Sequence, residues 1–404
     1  MADLIEKATR AQAECLEKIY SSDEEKSKRP LFHLASPCGW INDPNGLSFY
    51  KGQLHLFFQY HPYSNKWRPM DWGHAATKDL LAWEFLPVAM APDSDADIDG
   101  CFSGTAMEDD GKHVIVYTGV IKGNTVQNQC VAIGDGLKYK KLEGNPVITS
   151  KNIPFEYDIA HFRDPKVWKE DDFYYVAAVI KTNDKSGALV IFKSKDLKEW
   201  NFVSVADRSE CKLGMMWECP DFFTLDGTDV IVISPQEMKE DLEAGWHDGN
   251  NSVFMTGMMD RREWKFDRKT VCQIDYGIDF YAPETTAFPD GIDRNSGAFE
   301  IQIAADETFN CKITVDFEKC EMSFDRSKSG TRTDCETFRK FRFEMPADGN
   351  FDVRLVCDTS SAELFACGGR YAFTNVFYTP LSAEGIKFTS SKSLSFDYNF
   401  YTLV

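Results

Sequence analysis

Four segments of the chain repeat one pattern of strand, polar turn and strand. They are NGLSFYKGQLHLFFQY (45–60), SGTAMEDDGKHVIVYTG (103–119), RDPKVWKEDDFYYVAAV (163–179) and CPDFFTLDGTDVIVISP (219–235). Each turn is charged or carries glycine, and the flanks are rich in β-branched and aromatic residues, the composition of paired strands. A second hairpin follows each unit, in WGHAATKDLLAWEFLP, QCVAIGDGLKYKKLE, ALVIFKSKDLKEWNFV and VFMTGMMDRREWKFD. An aromatic residue closes each at the same place: Trp83, Tyr139, Trp200 and Trp264. Four strands recurring about every sixty residues, with long connections, predict the blades of a β-propeller.

A fifth unit opens at YAPETTAFPDG (281–291). Its first strand and turn are legible and its second hairpin is not. The chain then alternates apolar and polar residues to its end with no helix signal, which reads as a separate β-sandwich. Ahead of Pro30, residues Leu4, Ile5, Ala8, Cys15, Leu16 and Ile19 fall near helical spacing. The expected architecture is all-β: a short N-terminal helical segment (1–29), a five-bladed propeller with an incomplete fifth blade (30–294), and a C-terminal β-sandwich (295–404). A blade lacking its outer strands would leave an exposed edge and a gap in the ring. Either residues are missing there, or AFEIQIA and its neighbours are drafted into the ring.

The formal charge of −19 repels phosphate backbones and anionic surfaces, so neither nucleic acid nor a membrane is an expected partner. The twelve cysteines contain no C-x-x-C pair, and the seven histidines show no metal-binding spacing, so no metal is expected. The N-terminus is charged throughout, unlike a signal peptide, and no run reaches the ~20 apolar residues of a bilayer span. These features favour a cytoplasmic protein with reduced thiols.

In a propeller the first strand of each blade lines the central channel, so residues at equivalent places converge from distant parts of the sequence. Asp43 opens the first unit in WINDPNG, Asp164 the third in FRDP, and Glu218 the fourth in WECPD. The second unit offers Phe102 and Ser103 there, and the fifth Tyr281 and Glu284. Singly, Asp43 reads as a turn residue, Asp164 as a turn partner of Pro165 with Arg163 beside it, and Glu218 as a strand-end cap. Three acids at equivalent positions are a different matter. Gathering like charges costs free energy and raises at least one pKa, an arrangement kept for chemistry. Two carboxyls across a sugar perform glycoside hydrolysis, one as nucleophile or base and one as acid. A third carboxylate would fix the ring and stabilise the oxocarbenium-like transition state. Trp40, Trp67, Trp72 and Phe102 are candidate stacking surfaces for the sugar, with propeller core as the alternative for each.

WINDPNG, FRDP and WECPD, in that order on a propeller followed by a sandwich, resemble glycoside hydrolase family 32. HLFFQYHPYSNKW, WGHAATKDLLAWE, FSGTA and DFYAPET support the resemblance, which covers nearly the whole chain after Pro30. It implies a β-fructofuranosidase acting on sucrose, sucrose 6-phosphate or short fructo-oligosaccharides. Asp43 resembles the family nucleophile, Glu218 the acid/base and Asp164 the transition-state stabiliser. Asn42, Gln59, Trp67, Phe102, Ser103 and Arg163 match positions that hold the fructose ring or close the pocket, and Tyr281 completes the expected substrate-binding set. Reaction would proceed with retention through a covalent fructosyl-enzyme, the two carboxyls about 5 Å apart, and without a cofactor.

Two other readings use the same residues. A fructosyltransferase would pass the fructosyl group to a sugar, and a fructan-binding protein would have lost turnover with its fifth blade. The three intact acids argue for the hydrolase. Lys66 and Arg68, near the expected pocket, are candidate phosphate contacts. The sandwich or the incomplete blade offers an edge for a homodimer, which sedimentation would test.

Overall fold

The computed structural model describes residues 3–67, 69–241, 244–286, 301–305, 308–317, 319–330, 336–346, 351–380, 382–383 and 385–387. Four antiparallel four-stranded sheets are built in chain order. The first contains Trp40–Tyr50, Gln53–His61, Asp71–Thr77 and Glu84–Phe85. The second contains Gly100–Asp109, Lys112–Ile121, Val126–Gly134 and Tyr139–Lys141. The third contains Tyr157–Glu170, Phe173–Thr182, Gly187–Ser194 and Trp200–Arg208, and the fourth Met216–Leu225, Thr228–Gln236, Val253–Asp260 and Lys265–Gln273. The first strands of consecutive sheets pack on one another, as blades around an axis do. The sheets are the four blades expected from the repeat.

Local chemistry explains why the repeat folds the same way each time. In the first blade Thr77 Oγ1 accepts from the amides of Asp79 and Leu80, and Asp79 Oδ1 from those of Leu81 and Ala82. Ser194 and Asp196 make the same set with the amides of Asp196, Leu197, Lys198 and Glu199 in the third. Asp135 and Asp260 accept turn amides in the second and fourth. Such side-chain-capped turns hold the left-handed residues Leu80, Leu197 and Trp264 and begin the last strand. Between blades, apolar faces form three shared cores. Trp72 and Tyr117 lie between the first and second blades, Phe162 and Phe192 between the second and third, and Trp217 and Met255 between the third and fourth. Each large side chain fully buried there contributes about 1.5–3 kcal/mol.

A helix, Asp3–Tyr20, lies against the first blade, followed by a second short helix, Asp23–Ser27. Buried Gln12 of the first helix donates to Leu86 O, and its Thr9 Oγ1 accepts from the Val88 amide, which anchors the helix to the segment after the last strand of the blade. No helix among the described residues is long and apolar enough to cross a membrane. The C-terminal part has a five-stranded and a three-stranded sheet. Ile313, Met322, Phe324 and Phe341 of one pack on Leu364 and Phe373 of the other, which makes a sandwich.

The fifth blade is where the structure refines the expectation. Residues 274–286 carry no strand, and Ile301–Ala305, within the AFEIQIA region, pairs in the five-stranded sheet of the sandwich rather than in the ring. The expected domain boundary at 294 lies outside the described residues.

His55, His74 and His113 are buried together between the first two blades. His55 Nδ1 and His74 Nε2 are 2.9 Å apart, and His113 sits 2.8 Å from both Ser48 Oγ and Tyr139 OH. Burial lowers the proton affinity of all three, that of His113 to about 3. A histidine held neutral when folded takes up its proton only in the unfolded chain as pH falls from about 6.5 towards 3, so its contribution to stability is lost over that window. Denaturant titrations should show the lead of the wild type over His113→Gln shrinking by about 2 kcal/mol between pH 7 and 5. A lead that does not change with pH would mean that His113 is not held neutral.

Candidate active site

The innermost strand of each of the four described blades is broken at the same place. In the first blade Ile41 pairs with Tyr60 and Pro44 with Phe58, so Asn42 and Asp43 bulge opposite Gln59. In the second, Ser103 is the extra residue between Phe102 and Gly104. Asp164 and Pro165 bulge in the third, and Cys219 and Pro220, next to Glu218, in the fourth. Proline has no N–H for the ladder, and it stands in or next to the break in three of the four. A bulge re-aims the side chains beside it. Asp164 and Cys219 there take left-handed φ values of 57° and 46°, strain of the order of 1–3 kcal/mol each that the surrounding sheet must hold.

Asp43, Asp164 and Glu218 are thereby brought together. Ser103 Oγ donates to Asp43 Oδ2 at 3.0 Å. Burial raises the proton affinity of Asp43, and the facing Glu218 raises it further, against the hydrogen bonds of Ser103 and Asn42 and the charge of Arg163. Asp164 is 5% exposed. Its Oδ2 accepts from the Cys219 amide at 3.0 Å, and its own N–H donates to Thr118 Oγ1 at 2.9 Å. Burial pushes Asp164 up, with Arg163 opposing and the charges of Glu218 and Asp43 adding.

Glu218 is the most heavily bonded of the three. Arg163 Nε and Nη2 donate to its Oε1 at 3.1 and 2.8 Å, and Gln236 Nε2 and Tyr281 OH to its Oε2 at 2.8 and 2.6 Å. Arg163 is itself buried and 3.8 Å from Asp164, so one guanidinium bridges two acids. Burial and the adjoining Glu218 carboxylate hold the Tyr281 hydroxyl protonated. Every oxygen of the Glu218 carboxylate is therefore aimed by a donor.

The other expected residues divide. Trp67, 44% exposed, meets Phe102 edge-on at 5.6 Å between ring centres. Asn42 is exposed and accepts from Trp40 Nε1 at 2.8 Å. Gln59 is buried and donates to Cys101 O at 3.0 Å. Trp72 is fully buried and donates to Phe102 O, so it is core. Lys66 is exposed, and Arg68 lies outside the described residues. Two residues of this network went unread in the sequence. Gln236 pairs across the hairpin from Met216, and His161 Nδ1 accepts from Arg163 at 2.9 Å. His161 lies two residues before Arg163, on the same face of an extended strand, and that spacing was the available signal. Among the described residues no group of three or more His, Cys, Asp or Glu is arranged to hold a metal ion.

Comparison with known proteins gives this site a lineage. Residues 33–308 match the N-terminal domain of glycosyl hydrolases family 32, and residues 245–402 its C-terminal domain. The chain is 40% identical over 305 residues to a sucrose-6-phosphate hydrolase of Zymomonas mobilis, covering 70% of this chain and 57% of that protein. It is 38% identical over 289 residues to a raffinose invertase of Escherichia coli, covering 68% and 58%. The chain thus spans less than three-fifths of the length of these two relatives. Among solved structures, a variant β-fructofuranosidase of Bombyx mori in complex with sucrose superposes with a TM-score of 0.80 at 28% identity, covering 96% of this chain and 97% of that one. By the match of its sequence and of its fold, this chain belongs to glycosyl hydrolase family 32.

Proposed function

We propose that the protein is a retaining β-fructofuranosidase that hydrolyses the terminal β-fructosyl linkage of sucrose, sucrose 6-phosphate or short fructo-oligosaccharides. The observation that carries this reading is the gathering of three acids from three blades: Asp43 feels the charge of Glu218, and Arg163 bonds Glu218 and stands 3.8 Å from Asp164. In the first step Asp43 attacks C2 of the fructosyl unit, and Glu218 delivers its proton to the departing oxygen. In the second, Glu218 takes a proton from water, whose oxygen attacks C2 and releases Asp43. Arg163, Gln236 and Tyr281 donate to the two oxygens of Glu218 and fix its orientation for both steps. Asp164, fixed by the Cys219 amide, would accept hydrogen bonds from fructose hydroxyls, which strengthen as the ring gains positive charge. Trp67 and Phe102 would wall the pocket.

The names of the relatives point to sucrose or its 6-phosphate, and the solved complex holds sucrose. A reducing, cytoplasmic setting fits the free thiols of the eleven described cysteines. The test is release of fructose from sucrose, sucrose 6-phosphate and a short fructan by the purified chain, with the first-formed anomer followed by NMR. Fructose should appear first as the β-anomer. Initial α-anomer would reject the double displacement, and no release from any of the three would reject the activity.

A further inference from the structure

The three apolar cores join the first blade to the second, the second to the third and the third to the fourth. Among the described residues no such core joins the fourth blade back to the first. A polar segment spans that gap instead. Tyr281 OH donates to Glu218, and the Ala282 amide donates to Ser234 Oγ at 3.2 Å. Thr285 donates to Asp221 Oδ2 through its N–H at 2.8 Å and its hydroxyl at 2.7 Å. These three residues bind the fourth blade. Glu284 reaches the other way. Its Oε1 accepts from the Gly46 amide at 3.1 Å and its Oε2 from the Leu47 amide at 2.7 Å.

Those two amides matter because of where they sit. The first blade has a second register shift between Asn45 and Ser48, so Gly46 and Leu47 fall out of the ladder three and four residues after Asp43. Buried amides without a ladder partner must find another acceptor. Gly46 takes φ +57°, and a Cβ there would lie 2.7 Å from the Phe57 ring, so only glycine fits this kink. The carboxylate of Glu284 is the acceptor for both. It also lines, with Ser103, Asp164 and Cys219, a gap of about 10 Å³, room for no more than about one water.

We propose that Glu284 is a positioning residue for the reaction assigned above. It fixes the Asp43 strand through the Gly46 and Leu47 amides, and with Tyr281 on Glu218 it makes Tyr281–Thr285 the strap that sets the separation of the two carboxyls. The inference rests on the fructosidase reading of this site. It explains how a ring without a four-stranded fifth sheet among its described residues keeps its nucleophile and acid in register. It also gives Glu284, which carries no part of the bond chemistry, a reason to be buried beside two other acids.

The test compares wild type, Glu284→Ala and Glu284→Gln by sucrose kinetics and by hydrogen exchange at the Gly46 and Leu47 amides. In Glu284→Ala we expect kcat to fall about 10- to 100-fold with KM changed less, because misplacement by an ångström is enough. Exchange at the two amides should quicken by at least about tenfold. Glu284→Gln keeps one carbonyl acceptor and should recover part of both. A purely structural role would lower Tm while leaving kcat per folded molecule as in wild type, and that result, or unchanged amide protection, would overturn the proposal. If Glu284→Ala does not fold, the glutamine variant decides on the same two readouts. An inactive wild type would instead reject the fructosidase reading, and amide exchange would still decide whether Glu284 anchors the strand.

Discussion

Asp43→Asn should lower kcat on sucrose by at least about 10⁴-fold while the protein stays folded. The substitution removes the anion that attacks C2 and changes almost nothing else. Asparagine keeps an oxygen that can accept from Ser103 Oγ, the contact Asp43 makes at 3.0 Å, and it relieves the charge repulsion with Glu218 that raises the proton affinity of Asp43. Stability should therefore be equal to wild type or slightly higher, and binding of sucrose should persist. Calorimetry with the variant separates the two effects. Near-normal turnover would return Asp43 to the status of a turn residue, and loss of binding along with turnover would make it a recognition residue.

Glu218→Gln should produce a different signature. With sucrose, whose departing oxygen needs a proton, kcat should drop by about 10²- to 10⁴-fold. With an aryl β-fructofuranoside, whose leaving group departs unprotonated, the first step should be largely spared. The second step then lacks its base, so the fructosyl-enzyme should accumulate and be visible as a covalent adduct in the intact mass. Equal losses on both substrates with no adduct would show that Glu218 is not the acid/base. The variant also leaves the buried Arg163 with Asp164, 3.8 Å away, as its remaining close anionic partner, so a modest loss of stability is expected alongside the kinetic change.

The three acids were legible in the sequence for a physical reason. Asp43, Asp164 and Cys219 each precede a proline in the opening strand of a blade, and a proline there removes an N–H from the ladder. The repeat then says that the breaks lie at one level of the channel. Trp72 was ambiguous because an aromatic residue near a predicted pocket serves equally as wall or core, and only its full burial settles it. Gln236 was invisible because its value comes from pairing across a hairpin with the strand that carries Glu218, and a lone glutamine at a strand end has no pattern of its own. The fifth unit is the least legible part of the ring, and no strand is formed over residues 274–286. YAPETT carries strand-forming residues, but it spends its hydrogen bonds on side chains of the fourth blade and, through Glu284, on amides of the first, not on a sheet partner.

The recurrent break in the innermost strands has a consequence for how such a site fails. Each reactive group stands on a different sheet, and each sheet holds its own ladder. The distances between the groups are thus properties of the seams, not of any sheet. A shift at one seam would therefore move the acids relative to one another even where every ladder stayed paired.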